Sequence, residues 1–241
     1  MTNEKEDDVV EESERSIAAE TRPWVTLVPP GRVPARFPRL YKRLEQASQI
    51  LSFMLHAWGT TEEDRAAEYP CDKYVTPPLY SYYRGLEIFA PTDVVFRWLC
   101  QLRVAPYAYD IIDNLGRRSP RELTPGAEQL AAGQRVMVMF SVAEFEKNVH
   151  ISIVGTRFIR FFNEVAVTYL VVPCGPSRCR VVVKTTAHAK GQWRGLLFPS
   201  GELPLMRKQL LTFKQLAEKQ FLEELADGRT LDDGAVTTSA R

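Results

Sequence analysis

The residues with the most chemistry to offer are Tyr107, Tyr109, Asp110, Asp113 and Asn114, gathered in one short stretch of the chain. A tyrosine brings apolar area and a hydroxyl that can orient the polar head of a ligand. A carboxylate next to it can pair with that head or move a proton. Asp110 and Asp113, three apart, share a face if the stretch is helical, and their mutual repulsion would raise one pKa. A structural role accounts for the same residues: Asp110 caps a short helix, the tyrosines pack, and Asn114-Leu115-Gly116 makes a turn. Both readings stand. The first makes Tyr107, Tyr109, Asp110 and Asn114 ligand-binding residues and names no catalytic one.

Elsewhere the reactive residues are scattered. His56, His150 and His188 are isolated from one another, so no serine, histidine and acid trio can be assembled. His150 shares a strand face with Ser152, and His188 with Lys184 and Thr186. Polar faces of antiparallel strands usually meet water, so both histidines are expected to point outward. The cysteines Cys71, Cys100, Cys174 and Cys179 form no C-x-x-C pair and lack a neighbouring histidine at ligand spacing, so no metal is expected. Cys174 and Cys179 flank a Gly175–Ser177 turn that could set them face to face; the expectation for a cytoplasmic protein is reduced thiols. A Gly-rich phosphate loop, a nucleophile elbow and an H-E-x-x-H motif are all missing, and no cofactor is implied.

The 241 residues are 45% hydrophobic and 25% charged, enough apolar mass for one sizeable core. A net charge of +1 gives no general argument for nucleic acid or an anionic membrane. Residues 1–20 hold eight acids against Lys5 and Arg15, a net −6, so the rest of the chain carries +7. Residues 1–22 therefore read as a disordered acidic tail. No secretory signal and no run of 18 apolar residues is found, so a membrane span is not expected.

Residues 23–79 read as a proline-rich arm followed by an amphipathic helix. Leu40, Leu44, Ala47, Leu51, Met54 and Trp58 recur at three- and four-residue spacings, and Gly59 stops the helix. This stripe packs on the main domain or forms a homodimer seam. Residues 60–79 have loop character. The main domain, 80–226, opens with a strand over Tyr80–Phe89. A short helix follows Pro91, burying Val95, Trp98, Leu99 and Leu102. Four further strands are expected at Arg135–Glu146, Val149–Gly155, Glu164–Cys174 and Arg178–Ala189, as an antiparallel meander. The first is apolar on both faces through Val136–Phe140. After a Gly/Pro-containing connection from Trp193 to Pro204, a helix spans Leu205–Ala226 with Met206, Leu210, Phe213, Ala217 and Leu225 on one side. Asp227-Gly228 ends it, leaving a polar tail over 227–241. An antiparallel sheet with one apolar face, and a long amphipathic helix to cover it, make an α+β domain.

The opening strand followed by Ala90, Pro91, Val94, Val95, Phe96, Trp98 and Leu99 resembles the helix-grip superfamily of START-like, Bet v 1-like and polyketide cyclase/dehydrase proteins. Tyr107–Asn114 looks like an element of an uncharacterised bacterial branch of it. The resemblance covers about residues 80–226. It implies a helix-grip fold: a curved seven-stranded antiparallel sheet wrapped around the C-terminal helix, with an extra N-terminal helix here. Only five strands are clear in the sequence, so two short ones would have to lie within 103–163. The resemblance further implies an apolar cavity between sheet and helix, a small hydrophobic ligand as partner, and Trp193 at the cavity mouth as a further ligand-binding residue. A cyclase/dehydratase activity using Tyr109 or Asp110, or an interaction module built on the N-terminal helix, are the alternatives.

Overall fold

The computed structural model describes residues 43, 47, 53–77, 79–156, 164–188 and 194–237. The chain divides into two units, residues 1–54 and 55–241. In the first, Arg43, Ala47, Phe53 and Met54 are helical, as the spacing predicts. The acidic tail, the proline-rich arm, Leu40, Leu44, Leu51 and Trp193 lie outside the described residues. The fold set out below is that of the second unit.

A seven-stranded sheet organises this unit, with strand order β1-β2-β7-β6-β5-β4-β3. The strands are β1 (Ala57–Trp58), β2 (Leu79–Ile88), β3 (Arg135–Val136), β4 (Phe140–Glu146), β5 (His150–Gly155), β6 (Val165–Gly175) and β7 (Arg178–His188). β1 runs parallel to β2, and every other pairing is antiparallel. β6 and β7 form the centre because their branched residues are buried on both faces. A helix, α4 (Arg194–Thr237), closes one face. With Tyr82, Leu86, Ile88, Ile151, Ile153, Val167, Tyr169, Val181 and Val183 turned towards it, Leu210, Phe213, Leu216 and Ala217 complete the core. The architecture is the α+β helix-grip fold, with a mainly antiparallel sheet and a long C-terminal helix.

Several expectations give way in detail. Trp58 belongs to no helical stripe: the chain leaves the helix after His56, and Ala57–Trp58 pairs with Tyr83–Arg84. Two glycines make that pairing possible, since Gly59 sits at φ +70 and a Cβ there would drive into the Gly85 carbonyl. Of the two missing strands, therefore, one lies before the main domain and only β3 lies within 103–163. The expected strand Arg135–Glu146 is a hairpin instead. Val136 pairs with Phe140, and the reversal holds Met137 and Val138 at φ 47 and 62, leaving Val138 and Met139 exposed. This strained turn is held by Met137 N–H donating to the Leu102 carbonyl (3.0 Å) and Thr156 N–H donating to that of Met139 (2.9 Å). Pro199, Pro204 and Gly228 neither delay nor end α4. Pro199 and Pro204 are the sixth and eleventh residues of α4, past the first turn, so the helix runs through both with the loss of a backbone hydrogen bond at each. Gly228 permits a left-handed cap but does not require one, and the helix continues to Thr237. Leu225 is exposed, beyond the reach of the sheet.

The other face of the sheet is also covered, so His150 and His188 are half-buried rather than outward in water. Helix α1 (Glu62–Ala66) and a 3-10 turn (Pro70–Tyr74) cross it as a strap. Thr61 and Asp64 form a capping box, each side chain accepting the other's backbone N–H. Beneath the strap, Ser152, Thr168, Lys184 and Thr186 are all buried. Lys184 donates to Asp72 at 2.7 Å and sits over the rings of Tyr69 and Tyr83, its ammonium 5.3 and 5.2 Å from their centroids. Thr186 donates to Asp72, Cys71 N–H donates to Thr168, and the Arg180 guanidinium holds Asp64. The His188 ring meets the Thr76 carbonyl at 2.6 Å. All four cysteines are free, with Pro173 rather than Cys174 opposite Cys179.

Candidate functional site in the sheet–helix interior

The short helix α2 (Thr92–Cys100) begins after Pro91 and buries Val94, Val95, Phe96, Trp98, Leu99 and Cys100. A 3-10 turn (Gln101–Arg103) carries the chain to Pro106, and Tyr107 then enters the left-handed region at φ 58. That region is unfavourable for a bulky residue, and strain of this kind concentrates at functional sites. The turn drives Tyr107 into the interior, 1% exposed, between Trp98 and Phe213. Its ring meets that of Trp98 edge to face at 6.3 Å and that of Phe213 at 5.1 Å. Burial pushes its phenol up to about 12. Its hydroxyl has no hydrogen-bond partner among the described residues, and neither do Trp98 Nε1 or Gln101 Nε2.

The other expected site residues go elsewhere. Tyr109 is 43% exposed. Asp110 starts the one-turn helix α3 (Asp110–Asp113) and accepts from Ser119 N–H at 3.0 Å and Ser119 Oγ at 2.6 Å. Asn114 donates to the Arg117 carbonyl, closing a turn through Leu115 and Gly116 at φ 52 and 79. The side chain of Asp113 is outside the described part. Of the described side chains of this cluster, the structure brings Tyr107 alone into the interior.

Polar groups that the sequence reading did not select share that interior. Arg84, fully buried, donates from Nε at 3.1 Å and from Nη2 to Glu202, and to the carbonyls of Tyr83 (2.9 Å) and Leu55 (2.7 Å). Thr185 donates to Glu202 at 3.4 Å. Burial pushes the Glu202 carboxyl up, against the pull of Arg84. Two helical turns further on, Gln209 accepts from the Tyr169 hydroxyl at 2.7 Å and donates to the Pro106 carbonyl at 2.6 Å. Burial raises the Tyr169 phenol as well. The signal was available in principle. Arg84 alternates with Tyr82, Leu86 and Ile88 on the apolar face of β2, and Glu202 and Gln209 fall on the inner stripe of α4.

No protein-family model and no curated protein matches this chain. Its likenesses are structural. A norcoclaurine synthase from Thalictrum flavum aligns at TM-score 0.38 and 15% identity, covering 61% of this chain and 98% of that one. A protein from Thermobifida fusca aligns at TM-score 0.42 and 11% identity, covering 58% and 93%. The di-domain ARO/CYC protein BexL, from the BE-7585A biosynthetic pathway, aligns at TM-score 0.37 and 16% identity; the match covers 58% of this chain and 46% of that longer one. The helix-grip description itself rests on this chain's own strand order and C-terminal helix. Among the described residues, no helix is long and apolar enough to cross a membrane, and no three potential ligands gather to hold a metal.

Proposed function

We propose that this protein binds a small, largely apolar molecule between the sheet and α4. The observation that carries the reading is Tyr107: a fully buried tyrosine on a left-handed backbone, with its hydroxyl unpaired among the described residues. A buried polar group without a partner costs stability, and so does the backbone conformation that places it there. A ligand atom that meets the hydroxyl removes the first cost and gives the second a purpose. Trp98 and Phe213 on either side supply apolar contact. The proton-transfer alternative draws less support, because Tyr109 is exposed and the Asp110 carboxylate is occupied by Ser119.

The test is native mass spectrometry and organic extraction of the purified full-length chain, with saturable binding of an uncharged naphthalene probe as a second readout. A retained small molecule, or saturable binding that Phe213→Trp weakens, supports the reading. No retained mass and no saturable binding refutes it.

A further inference from the structure

We infer that the ligand presents a neutral oxygen acceptor, such as a ketone, aldehyde or ester carbonyl, to a donor set made by Tyr107, Trp98 and Gln101. This rests on the ligand-binding reading above and says what kind of ligand the interior selects.

The unpaired atoms in this part of the core are Tyr107 Oη, Trp98 Nε1 and Gln101 Nε2. Each can donate, and two of them can only donate. The matching acceptor on Gln101 is already used, since its Oε1 takes the Thr124 N–H at 3.1 Å. The three residues are 1%, 2% and 0% exposed, so solvent does not satisfy them. They also belong to one local assembly. Trp98 and Gln101 stand one turn apart, the Gln101 carbonyl receives both Val104 N–H (2.8 Å) and Ala105 N–H (3.1 Å), and this bend returns Tyr107 against Trp98. A region whose open groups can all donate, two of them only donate, favours an oxygen that accepts hydrogen bonds over an amine, whose protons would find the Tyr107 oxygen alone.

Charge decides between a neutral acceptor and an anion. The fully buried cation on the helix side of the sheet is Arg84, and Glu202 already neutralises it. Lys184 is held by Asp72 on the opposite face. Arg121 lies near enough to influence Tyr107 but is exposed, and Asp110 opposes it. A carboxylate carried into this core would thus be a buried charge without a buried counter-ion, which is strongly disfavoured. A carbonyl oxygen takes the same hydrogen bonds without that penalty.

The test uses the full chain and two matched probe sets: acetophenone with cumene, and 2-acetylnaphthalene with 2-isopropylnaphthalene, 2-naphthoate and 2-naphthylmethylamine. The expected result is that each ketone binds about tenfold more tightly than its hydrocarbon, the increment of one well-made neutral hydrogen bond. Tyr107→Phe and Trp98→Phe should each remove most of that ratio, which is read within each variant because both side chains also contribute apolar contact to the hydrocarbon. Bound ketone should show a C=O stretch shifted to lower frequency, and Tyr107→Phe should reverse the shift. Hydrocarbon and ketone binding equally would overturn the inference while leaving ligand binding intact, as would naphthoate or the amine binding most tightly. A crystal structure of the ketone-soaked protein with only a water between the donors would do the same. Failure of every probe to bind would instead bring down the ligand-binding reading on which the inference depends.

Discussion

The two faces of the sheet are both polar in part, yet they handle polarity differently. Under the strap, Asp72 takes Lys184 and Thr186, Thr168 takes Cys71 N–H and meets Ser152, and Asp64 takes Arg180. His150, whose Nε2 has no partner among the described residues, is the exception there. On the helix side a closed network, Arg84–Glu202 and Tyr169–Gln209, sits in the same interior as three donors left open. A satisfied polar layer holds elements together; open donors are costs that folding alone does not explain. The outer face attaches the strap, and on the inner face the proposed ligand would take the open donors.

The largest expected effect comes from the closed part of the inner face. Arg84→Met leaves Glu202 buried without its partner and should lower unfolding free energy by about 3–5 kcal/mol at neutral pH. The double variant Arg84→Met with Glu202→Met should recover most of that, because replacing both ions with apolar groups removes two desolvation costs together. Urea unfolding of the two single variants and the double variant gives the coupling directly. A double variant as unstable as Arg84→Met would mean that the bonds from Arg84 to the Tyr83 and Leu55 carbonyls, rather than the ion pair, hold the strand edge.

On the outer face, Lys184→Met should cost less, about 1–2 kcal/mol, because the Asp72 side chain is 36% exposed and can rehydrate. The loss should be accompanied by faster amide exchange in residues 61–75, measured by hydrogen exchange, since Lys184 is a main anchor of the strap. An effect as large as that of Arg84→Met would erase the contrast between the faces.

Tyr107→Phe should have the opposite sign. Deleting an unpaired buried hydroxyl should raise stability by up to about 1 kcal/mol and remove most of the proposed preference for a carbonyl ligand. Destabilisation on thermal or urea unfolding would show that the hydroxyl has a structural partner and would move Tyr107 from the recognition face to the packing core.

The sequence made the frame legible but only part of the site. The Ala90–Leu99 pattern and the branched, apolar runs of β5 to β7 follow preferences set by local geometry, and they reappear within a residue of their expected bounds. The strap did not show, because its hold on the sheet depends on pairings between residues about a hundred positions apart, such as Asp72 with Lys184. Val136–Phe140 reads as continuous strand because no glycine marks the reversal at Met137-Val138. The Tyr107–Asn114 cluster was visible as chemistry. Which of its members turns inward was decided by one left-handed φ angle, and side-chain type does not encode that. Arg84, Glu202 and Gln209 went unselected because a single polar residue on an apolar stripe gains meaning only when its partner on another element is known.

The smallest expected effect separates the faces by the sign of their pH dependence. Outside, the bonds from Arg180 and Thr61 outweigh burial and hold the Asp64 carboxyl below its ordinary value of 3.8. A lowered folded pKa contributes stability above the unfolded value, which is lost as pH falls below 3.8 and through the folded value. Inside, burial holds Glu202 above its ordinary value of 4.5. Its folded form binds more protons than its unfolded form from about 4.5 upward, so this contribution declines as pH rises through that window and returns as pH falls towards 4.5. Wild type should therefore exceed Asp64→Asn in unfolding free energy by a full, constant margin above 3.8, and that margin should shrink as pH falls below 3.8. Between wild type and Glu202→Gln the unfolding free energies should differ increasingly above 4.5, with the wild type losing ground as pH rises. Two difference curves of the same slope would show that Arg84 dominates Glu202 after all, and that the inner pair is an attachment of the same kind as Asp64 with Arg180.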